Sequence, residues 1–517
     1  MIKQSPAHPQ RFPFDMLVID HTSATAIFRQ LESQLREAIW EGLLAPGEKL
    51  PATRRLAKEL SVARNTVINA YEQLIVEGFI EAVPGSGTRV MRDLPSRRPP
   101  ESSREGAYER ETMPLTLSSR YQYASMVGDM VPLEEGPSAR PFRAHLPAFK
   151  EFPHAQWAQL MARRLRQQPQ QWLEKSSPLG YGPLREAISG YLGASRGLKA
   201  QTDQIIVTAG AQQGIELLAK AFINPGDTVC FEEPGYTPAA IAFKMAGADI
   251  VSIPVDEEGI NVDVLNKSVP KAKFIYVTPS HHFPLGVTLS QSRRKALLQW
   301  AAKAGAVVLE DDYNGEYQYR GRPLPTLYAM AAPGQVIYIG SFSKLLFPSL
   351  RLGYLVVPKA QTRPLAAMRW LIDRHSPPLE QAVLADFIDQ GYFARHLRRM
   401  RTLYAERQQA LIDAAGTFLD GIMSVPPLDS GLHLIGWLEQ GVQESHVLDA
   451  ASRIGLEIAP VSVFSSDFLH SAPAKDSCKV LQKPGLILGY AAYSNEEIHY
   501  HIKLLGKACA SNPLWPG

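Results

Sequence analysis

The strongest constraint on the fold is an alternation that runs from about residue 141 to residue 508. Short runs rich in β-branched and other apolar residues are each followed by a longer segment with helical character. This alternation predicts an α/β domain with a largely parallel sheet, because parallel strands need crossover helices. The predicted strands are QIIVTAG, TVCFEEP, KFIYVTPS, AVVLEDDY, VIYIGSF and RLGYLVV.

Two further zones precede this domain. The chain has 517 residues, more than one ordinary core accommodates, so we expect at least two domains. Residues 21–91 form a compact, strongly patterned unit. Residues 92–140 are rich in Pro, Ser, Arg and Glu with few aliphatic residues, a composition that predicts a flexible linker.

Composition argues for a soluble cytoplasmic protein. Runs of about 18 apolar residues are missing, and the N-terminus lacks the apolar core of a signal peptide. The cysteines, Cys230, Cys478 and Cys509, are too far apart to indicate a metal site or a disulfide framework, which fits a reducing compartment. The net charge of +3 decides nothing about partners.

The N-terminal unit has the pattern of a helix-turn-helix. A first helix is predicted by apolar residues at every fourth position, namely Ile27, Leu31, Leu35, Ile39 and Leu43. After APGEKLP, a short helix TRRLAKEL follows, with Thr53 as its predicted N-cap. A tight turn then leads to a further helical stripe formed by Val67, Ala70, Tyr71 and Leu74. GFIEAVPGSGTRV predicts a two-stranded wing.

Polar residues at the start of the second helix of this pair suggest DNA recognition. Arg64, Asn65 and Thr66 lie where recognition helices present side chains to base edges and phosphates. Arg54 and Arg55 are predicted to contact DNA phosphates and so to fix the register of the protein on the duplex. The alternative is a helical bundle whose arginines face water. The order helix, turn, helix and wing favours the DNA reader.

The stretch GEKLPATRRLAKELSVARNTVINAYEQLIVEGFIEAVPGSGTRV closely resembles the winged helix-turn-helix of GntR-type bacterial regulators. The resemblance implies that Arg54, Arg64, Asn65 and Thr66 face double-stranded operator DNA. It implies the same for the wing around Gly87, which includes Arg89.

In the large domain, Lys344 within GSFSKLLFPSLRLGY is a candidate anchor for an aldehyde cofactor such as pyridoxal phosphate. Such a cofactor needs an amine, an anion at its pyridine nitrogen, donors for its phosphate and a flat partner for its ring. Lys344 supplies the amine if burial lowers its pKa. Within LEDDYNGEY, Asp311 or Asp312 supplies the anion, and Tyr313 a donor for the ring hydroxyl.

The phosphate donors and the ring partner come from other strand ends. The backbone N–H groups of Ala211 and Gln212 begin a helix in TAGAQQGI and favour an anion. The remaining candidates are Ser341, Ser343 and Arg351 for the phosphate and Tyr236 for the ring. Each of these motifs, taken alone, more often has a structural role than a cofactor-binding one. Together they follow strands at the edge where open α/β sheets bind ligands.

Residues of about 141–508 resemble the fold-type I, class I aminotransferase domain, through YGPLREAISGYL, TAGAQQ, EEPGY, TPSHHFPLG, EDDY and SFSK followed by Arg. The resemblance implies pyridoxal 5'-phosphate as cofactor. It implies that Lys344 bonds its aldehyde, Asp311 pairs with its pyridine nitrogen, and Tyr313 bonds its hydroxyl. Tyr236 would stack on the ring. Ser341, Ser343 and Arg351 would hold the phosphate, and Tyr181 would reach the phosphate of a partner subunit.

The order of the two domains resembles the MocR-type subfamily of GntR regulators. The predicted fold is therefore multidomain, an N-terminal winged helix-turn-helix of helices and a β-wing joined to an α/β fold-type I aminotransferase-like domain. A homodimer is expected, because this fold builds its sites at a subunit interface and DNA readers bind paired half-sites.

Two positions depart from the pattern of the enzymes. Phe283 stands where aminotransferases usually carry an Asn, a change that MocR-type proteins commonly share. Ile487 in LILGYAAYS stands where they carry an Arg that binds the substrate α-carboxylate. An apolar residue cannot balance that charge.

We therefore expect a regulator that senses pyridoxal phosphate, an amine or an amino-acid-derived effector, rather than an enzyme. One alternative is an active aminotransferase that carries a DNA-binding domain. Another is a regulator whose aminotransferase-like domain binds no cofactor.

Overall fold

The computed structural model describes residues 16–94, 116–130, 140–167, 170–321, 324–465 and 484–511. Most of the predicted linker, residues 95–115 and 131–139, lies outside these ranges, as does Cys478. Within residues 92–140, Ser119–Met130 forms a 3-10 helix. The chain divides into two compact units, residues 1–115 and residues 116–517.

The first unit is a three-helix bundle with a wing. Its elements are α1 (Ile27–Trp40), α2 (Thr53–Glu59), α3 (Arg64–Val76), β1 (Ile80–Val83) and β2 (Gly87–Val90). β1 and β2 pair antiparallel. The core is formed by the apolar stripes of the helices, with Leu31, Leu35, Ile39, Val67, Ala70, Tyr71 and Leu74 all buried.

Two local predictions in this unit were wrong. Leu43 does not extend the stripe of α1, because the helix ends at Trp40 and Gly42 turns the chain with a φ of 77°. Leu43 is 58% exposed. Thr53 is not the N-cap of α2 but its first residue. The carbonyl of Ala52 already accepts the N–H of Leu56 at 3.0 Å, so the helix starts one residue earlier than predicted.

The second unit contains the large sheet and the helices that cover it. The helices are α4 (His154–Gln167), α5 (Gly182–Arg196), α6 (Ala211–Phe222), α7 (Thr237–Met245), α8 (Val262–Ser268), α9 (Gln291–Ala304), α10 (Leu327–Met330), α11 (Lys359–Ile372) and α12 (Pro378–Asp389). The strands are β3 (Ile205–Thr208), β4 (Thr228–Glu233), β5 (Asp249–Asp256), β6 (Gly259–Ile260), β7 (Phe274–Val277), β8 (Val307–Asp312), β9 (Val336–Ser341) and β10 (Gly353–Val356).

The sheet has the order β3-β10-β9-β8-β7-β4-β5-β6. The strands from β9 to β5 run parallel, whereas β10 is antiparallel to both β9 and β3. Since β10 is reversed, β3 points the same way as β9. The carboxyl ends of β3, β4, β7, β8 and β9 therefore meet at one edge, and the amino end of β10 joins them there.

All six predicted strands are present, and the predicted α/β architecture is confirmed. β5 was not predicted. Its sequence DIVSIPVD mixes polar residues and a proline with the apolar ones, so its periodicity is weak.

A smaller antiparallel sheet completes the second unit. It has the order β11-β12-β14-β13, with β11 (Met423–Ser424), β12 (His433–Leu438), β13 (Ala459–Pro460) and β14 (Gly485–Gly489). The accompanying helices are α13 (Tyr392–Phe418), α14 (Glu444–Arg453) and α15 (Asn495–Ala510). None of the helices in the described ranges is both long and apolar enough to cross a membrane.

Candidate functional site

A cavity of about 320 Å³ opens at the edge where the parallel strands end. It is lined by nine of the ten residues that the sequence assigned to the cofactor, namely Ala211, Gln212, Tyr236, Asp311, Tyr313, Ser341, Ser343, Lys344 and Arg351. These residues follow β3, β4, β8 and β9 and precede β10. The strand order therefore brings together side chains that are as much as 140 positions apart in sequence, counting from Ala211 to Arg351.

Lys344 follows β9 and points its amine into the cavity. Its Nζ donates to the carbonyl of His145 at 3.4 Å. Burial lowers the pKa of Lys344 to about 8, and the positive charge of Arg143 acts in the same direction. The unprotonated fraction of the amine near neutral pH is therefore larger than for an ordinary lysine, which favours its action as a nucleophile.

The two candidate anions at the end of β8 face opposite sides of the sheet. Asp311 lines the cavity, and its Oδ2 accepts from the hydroxyl of Tyr276 at 2.5 Å. Asp312 points to the other face, where it binds Arg196 and accepts from the hydroxyl of Tyr338 at 2.7 Å. Successive side chains of a strand alternate in direction, so only one of the pair can face the cavity.

The carboxyl of Asp311 has a strongly perturbed environment. Burial raises its pKa to about 7, against the opposing effect of the hydrogen bond from Tyr276. Its Oδ1 is buried and has no hydrogen-bond partner within the described ranges. A cationic group placed against Oδ1 would restore the carboxylate form.

The amino end of α6 and two neighbouring loops form an anion cradle. Gly210, with a φ of 85°, leads into α6, and a Cβ at this position would stand 3.4 Å from the guanidinium of Arg351. Arg351 is held by the carbonyl of Ala209 at 2.8 Å. Ser341 Oγ accepts the N–H of Ser343 at 3.2 Å, while Ser343 Oγ is buried without a partner in the described part of the chain.

Aromatic rings form the walls of the cavity. The ring of Phe283 lies 5.9 Å from that of Tyr236 and 6.4 Å from that of Tyr313, with both pairs nearly perpendicular. Burial raises the pKa of Tyr236 to about 12, so its phenol is neutral. The hydroxyl of Tyr313 is buried and has no partner among the described residues.

The residues present fit a flat, phosphate-bearing aldehyde. Buried polar atoms without a protein partner are costly, and several of those in the described residues belong to the lining of this cavity. Among the described residues that line it, these atoms are Asp311 Oδ1, Tyr313 Oη, Ser343 Oγ, Gln212 Oε1 and His145 Nδ1. Asp311 offers an anion, Tyr313 a donor for a ring hydroxyl and Ser343 a donor at the cradle, beside the amine of Lys344, whereas Gln212 Oε1 can only accept a hydrogen bond.

Tyr181 is placed apart from the other nine residues. It precedes α5, and its backbone N–H donates to Gln381 Oε1 at 2.8 Å. Its ring lies 6.0 Å from that of Trp172. It is not among the residues that line the cavity of its own chain.

The structure adds cavity residues that the sequence did not single out, namely His145, Tyr276, Thr278, Pro348 and Phe464. Tyr276 gives no signal in sequence, because a tyrosine inside the strand FIYV is typical of a sheet core. His145 and Phe464 come from segments that are remote from every motif. Only folding brings them to the strand ends.

Ile487, at the position where the enzymes are expected to carry an arginine, belongs to the apolar core. Ile487 lies in β14, is 1% exposed and pairs with Ile435 of β12. Next to it in β14, Gly489 lets the chain near Arg143 approach, since a Cβ there would stand within about 2.3 Å of the carbonyl of Arg143. The described structure therefore places an aliphatic side chain at Ile487 and closely packed backbone at Gly489.

In the first unit, the predicted DNA-reading residues lie mostly at the surface. Arg64 and Asn65 are exposed and Thr66 is half-buried in the first turn of α3. Arg54 and Arg55, also exposed, lie in α2. Arg64 Nε donates to Thr53 Oγ1 at 3.5 Å, which links the starts of α2 and α3.

The wing residues have mixed environments. Gly87 begins β2 with a φ of 94° and is exposed. Arg89 is half-buried, and its guanidinium donates to the carbonyl of Gly47 at 3.3 Å and to Ser86 Oγ at 2.9 Å. Arg89 therefore braces the wing internally, in addition to any contact it makes outside the protein.

Family models match both units. Residues 28–90 match the bacterial regulatory proteins of the gntR family, and residues 148–427 match the class I and II aminotransferases. The chain is 35% identical over 494 residues to the probable rhizopine catabolism regulatory protein MocR of Rhizobium meliloti, covering 95% of this chain and 96% of the relative. It is 32% identical to the pyridoxine biosynthesis transcriptional regulator PdxR of Corynebacterium glutamicum, covering 85% and 88%.

Solved aminotransferase structures resemble the second unit. The kynurenine aminotransferase of Pyrococcus horikoshii, solved with PMP, superposes with a TM-score of 0.65 at 26% identity and covers 80% of this chain and 98% of its own. The α-aminoadipate aminotransferase LysN of Thermus thermophilus, complexed with N-(5'-phosphopyridoxyl)-L-leucine, superposes with a TM-score of 0.65 at 27% identity. The match covers 75% of this chain and 96% of LysN.

Proposed function

Because the chain belongs to the MocR-type subfamily of GntR transcriptional regulators, we propose that its aminotransferase-like domain is a ligand sensor that controls operator binding. Pyridoxal 5'-phosphate is the cofactor of this fold. The sensor responds to the cofactor itself, to a primary amine that reacts with it, or to both. The observation that supports this proposal is a cavity lined by Lys344, together with an apolar Ile487, buried in the described core, at the position where the enzymes carry a carboxylate-binding arginine.

The residues of the cavity divide the work of holding the cofactor. Lys344 would provide the amine for its aldehyde, and Asp311, positioned by Tyr276, would pair with the pyridine nitrogen. Arg351 and the serines of the cradle hold the phosphate at the amino end of α6. When bound, the cofactor supplies an aldehyde that bonds reversibly to primary amines with loss of water.

The remaining residues orient the ring and shield it. Tyr236 would stack on the ring, and Tyr313, whose hydroxyl has no partner in the described residues, would donate to the ring hydroxyl. Phe283 would place an apolar ring where the enzymes usually carry an Asn. A carboxylate brought to Ile487 would be buried without a charged partner, which is costly. Steady transamination of α-amino acids is therefore disfavoured.

We further propose that the regulator is a homodimer. Tyr181 lies outside the cavity of its own chain, which is compatible with a role at the cofactor phosphate of a partner subunit. GntR-type readers also bind paired half-sites, which a two-fold dimer matches. Sedimentation of the purified protein at micromolar concentration should give a dimer, and a stable monomer would contradict the proposal.

A spectral titration read together with DNA binding tests the sensor. The purified chain is titrated with pyridoxal phosphate and then with candidate amines, and binding to DNA from its own upstream region is measured at each step. We expect changes in cofactor absorbance that parallel changes in operator affinity, with no keto product. Sustained conversion of an amino donor and a keto acceptor would instead support an active aminotransferase with a DNA-binding domain.

A further inference from the structure

Three histidines form a cluster beside the cavity. His145 precedes α4, His281 follows β7, and His433 begins β12. The ring centroid of His433 lies 4.9 Å from that of His145 and 5.3 Å from that of His281. His281 and His433 are each at most 1% exposed. Segments from three distant parts of the chain thus bring imidazole rings into contact in the interior.

Each ring carries a buried nitrogen that finds no partner among the described residues. His433 Nε2 lies 2.8 Å from the carbonyl of Pro284 and must donate to it, so its unpartnered Nδ1 is an acceptor. His281 Nδ1 shares a hydrogen bond of 3.0 Å with Ser430 Oγ, which leaves its Nε2 free. His145 Nδ1 is likewise unpartnered. Buried polar atoms are normally satisfied, so the three unpartnered nitrogens of this cluster are able to bind polar groups of a ligand.

The cluster adjoins the cavity through residues that belong to both. His145 lines the cavity, and its carbonyl accepts from Lys344 Nζ. The ring of Phe283, another lining residue, lies 4.8 Å from that of His145. The ring of Tyr313 lies 6.1 Å from those of both His145 and His281. A group that extends from Lys344 towards the small sheet would therefore meet His145 first, with His433 and His281 packed behind it and not themselves among the lining residues.

The histidines carry no charge at neutral pH. Burial lowers the pKa of His433 to about 4, and it lowers the pKa values of His145 and His281 well below the ordinary value. The apolar Ile435 and Ile487 pair on the adjoining strands β12 and β14. This surface can accept and donate hydrogen bonds, but it cannot neutralise a carboxylate. In the described part of the chain, no three His, Cys, Asp or Glu side chains are arranged to hold a metal ion.

We propose that the cluster of His145, His281 and His433 recognises the hydroxyl groups of a primary-amine effector that lacks an α-carboxylate. Neutral imidazoles suit uncharged hydroxyls, each of which donates and accepts a hydrogen bond. The inference rests on the proposed sensor function, and it names the chemical class of the ligand that the sensor takes.

A matched set of amines tests this inference on the full-length protein loaded with pyridoxal phosphate. Serinol, serine and isopropylamine share a three-carbon amine and differ in their hydroxyl and carboxylate groups. Binding is measured by calorimetry and by the change in cofactor absorbance. We expect serinol to bind at least about tenfold more tightly than serine, since a buried unpaired charge is costly. Serinol should also bind more tightly than isopropylamine, which has no hydroxyl to bind the unpartnered nitrogens.

Variants of the histidine cluster test whether it causes the preference for serinol over isopropylamine. His281→Phe and His433→Phe should each reduce the preference of serinol over isopropylamine several-fold, whereas His433→Asn, which retains a polar side chain, should restore part of it. The control is His154→Gln, at an exposed histidine in α4 that should leave all affinities unchanged.

The possible outcomes distinguish a failure of the histidine-cluster inference from a failure of the proposed sensor function. If none of several amines binds the loaded protein, the sensor proposal for amines fails. If amines bind but serine matches or exceeds serinol in the wild-type chain, the inference alone fails, even when a histidine variant does not fold. If folded variants keep the wild-type ratio of serinol to isopropylamine, the cluster is not the recognition site.

Discussion

The start of α3 and the strand ends around Lys344, the two predicted binding regions, differ in how they expose their polar groups. Arg64 and Asn65 stand in water, where a charge or an amide costs nothing to maintain and meets a partner that is itself charged. Asp311, Tyr313 and Lys344 are withdrawn into a cavity, where polar atoms lack partners or change their pKa. Exposed polar residues at the start of α3 cost little free energy of folding. Polar groups buried in the cavity lower the stability of the cofactor-free protein, and the same groups provide affinity for a small molecule.

The comparison predicts that damage to one region leaves the other intact, and the largest effect is expected at Lys344. In Lys344→Ala, covalent retention of pyridoxal phosphate should be lost, with affinity lower by on the order of 100-fold or more, because Lys344 is the lysine that the described residues contribute to the cavity lining. Borohydride reduction followed by mass spectrometry detects the covalent adduct. Lys359→Ala, at an exposed lysine paired with Asp203, is the control. A full adduct on the Lys344 variant would place the anchor elsewhere.

Arg64→Ala tests the surface reader. Loss of a bidentate base contact costs about 1–3 kcal/mol, which removes most specific operator binding. The cofactor absorbance should not change. Gel-shift titrations at a fixed salt concentration measure the effect, with Arg29→Ala, at an exposed position of α1, as the matched control. If Arg64→Ala and Arg29→Ala bind the operator with equal affinity, α3 is not the recognition helix.

Asp311→Asn tests whether the cavity trades stability for affinity. Asp311 has a pKa of about 7 in the folded chain, against about 3.9 for an unfolded carboxyl. The folded state therefore binds the proton more strongly, and the contribution of Asp311 to stability falls as the pH rises from about 4 to about 7. The cofactor-free variant should be more stable than the wild type at pH 8, by on the order of 1–4 kcal/mol.

Denaturant unfolding of the cofactor-free proteins between pH 5 and pH 8 measures this difference, and the same variant should bind pyridoxal phosphate more weakly. Asp420→Asn, at an exposed carboxyl, should show neither effect. Equal stability of the wild type and Asp311→Asn at pH 8 would mean that the cavity carboxyl imposes no such cost.

The smallest effect is expected for Arg54→Ala, a predicted phosphate contact. Affinity should fall about equally for operator and unrelated DNA, and the slope of the logarithm of affinity against the logarithm of salt concentration should decrease by about 1. Lys303→Ala, an exposed lysine of the second unit, controls for a general charge effect. A loss confined to the operator would assign Arg54 to base reading instead.

The sequence predicted much of both regions, for two reasons. Helical periodicity is local, so the stripes of α1 and α3 locate the core of the first unit. In the second unit, carboxyl ends of parallel strands share one edge, so motifs placed after strands are predicted to converge. Nine of the ten proposed cofactor residues line one cavity because of that geometry.

Details that depend on orientation were beyond the sequence. The choice between Asp311 and Asp312 depends on which side of β8 faces the cavity, and a run of buried residues gives no alternation from which to read it. The N-terminal boundary of α2 differs from the prediction by one residue, because a backbone carbonyl at Ala52 replaces the expected side-chain cap.

By itself, the sequence determined the type and order of the domains, the lysine offered to the cofactor and the absence of an arginine at Ile487. These are properties of residue type and spacing. Only the tertiary structure brought His145, His281 and His433 together and left a nitrogen of each without a partner in the described chain. Contacts between side chains more than 100 residues apart depend on packing, and no local pattern encodes them.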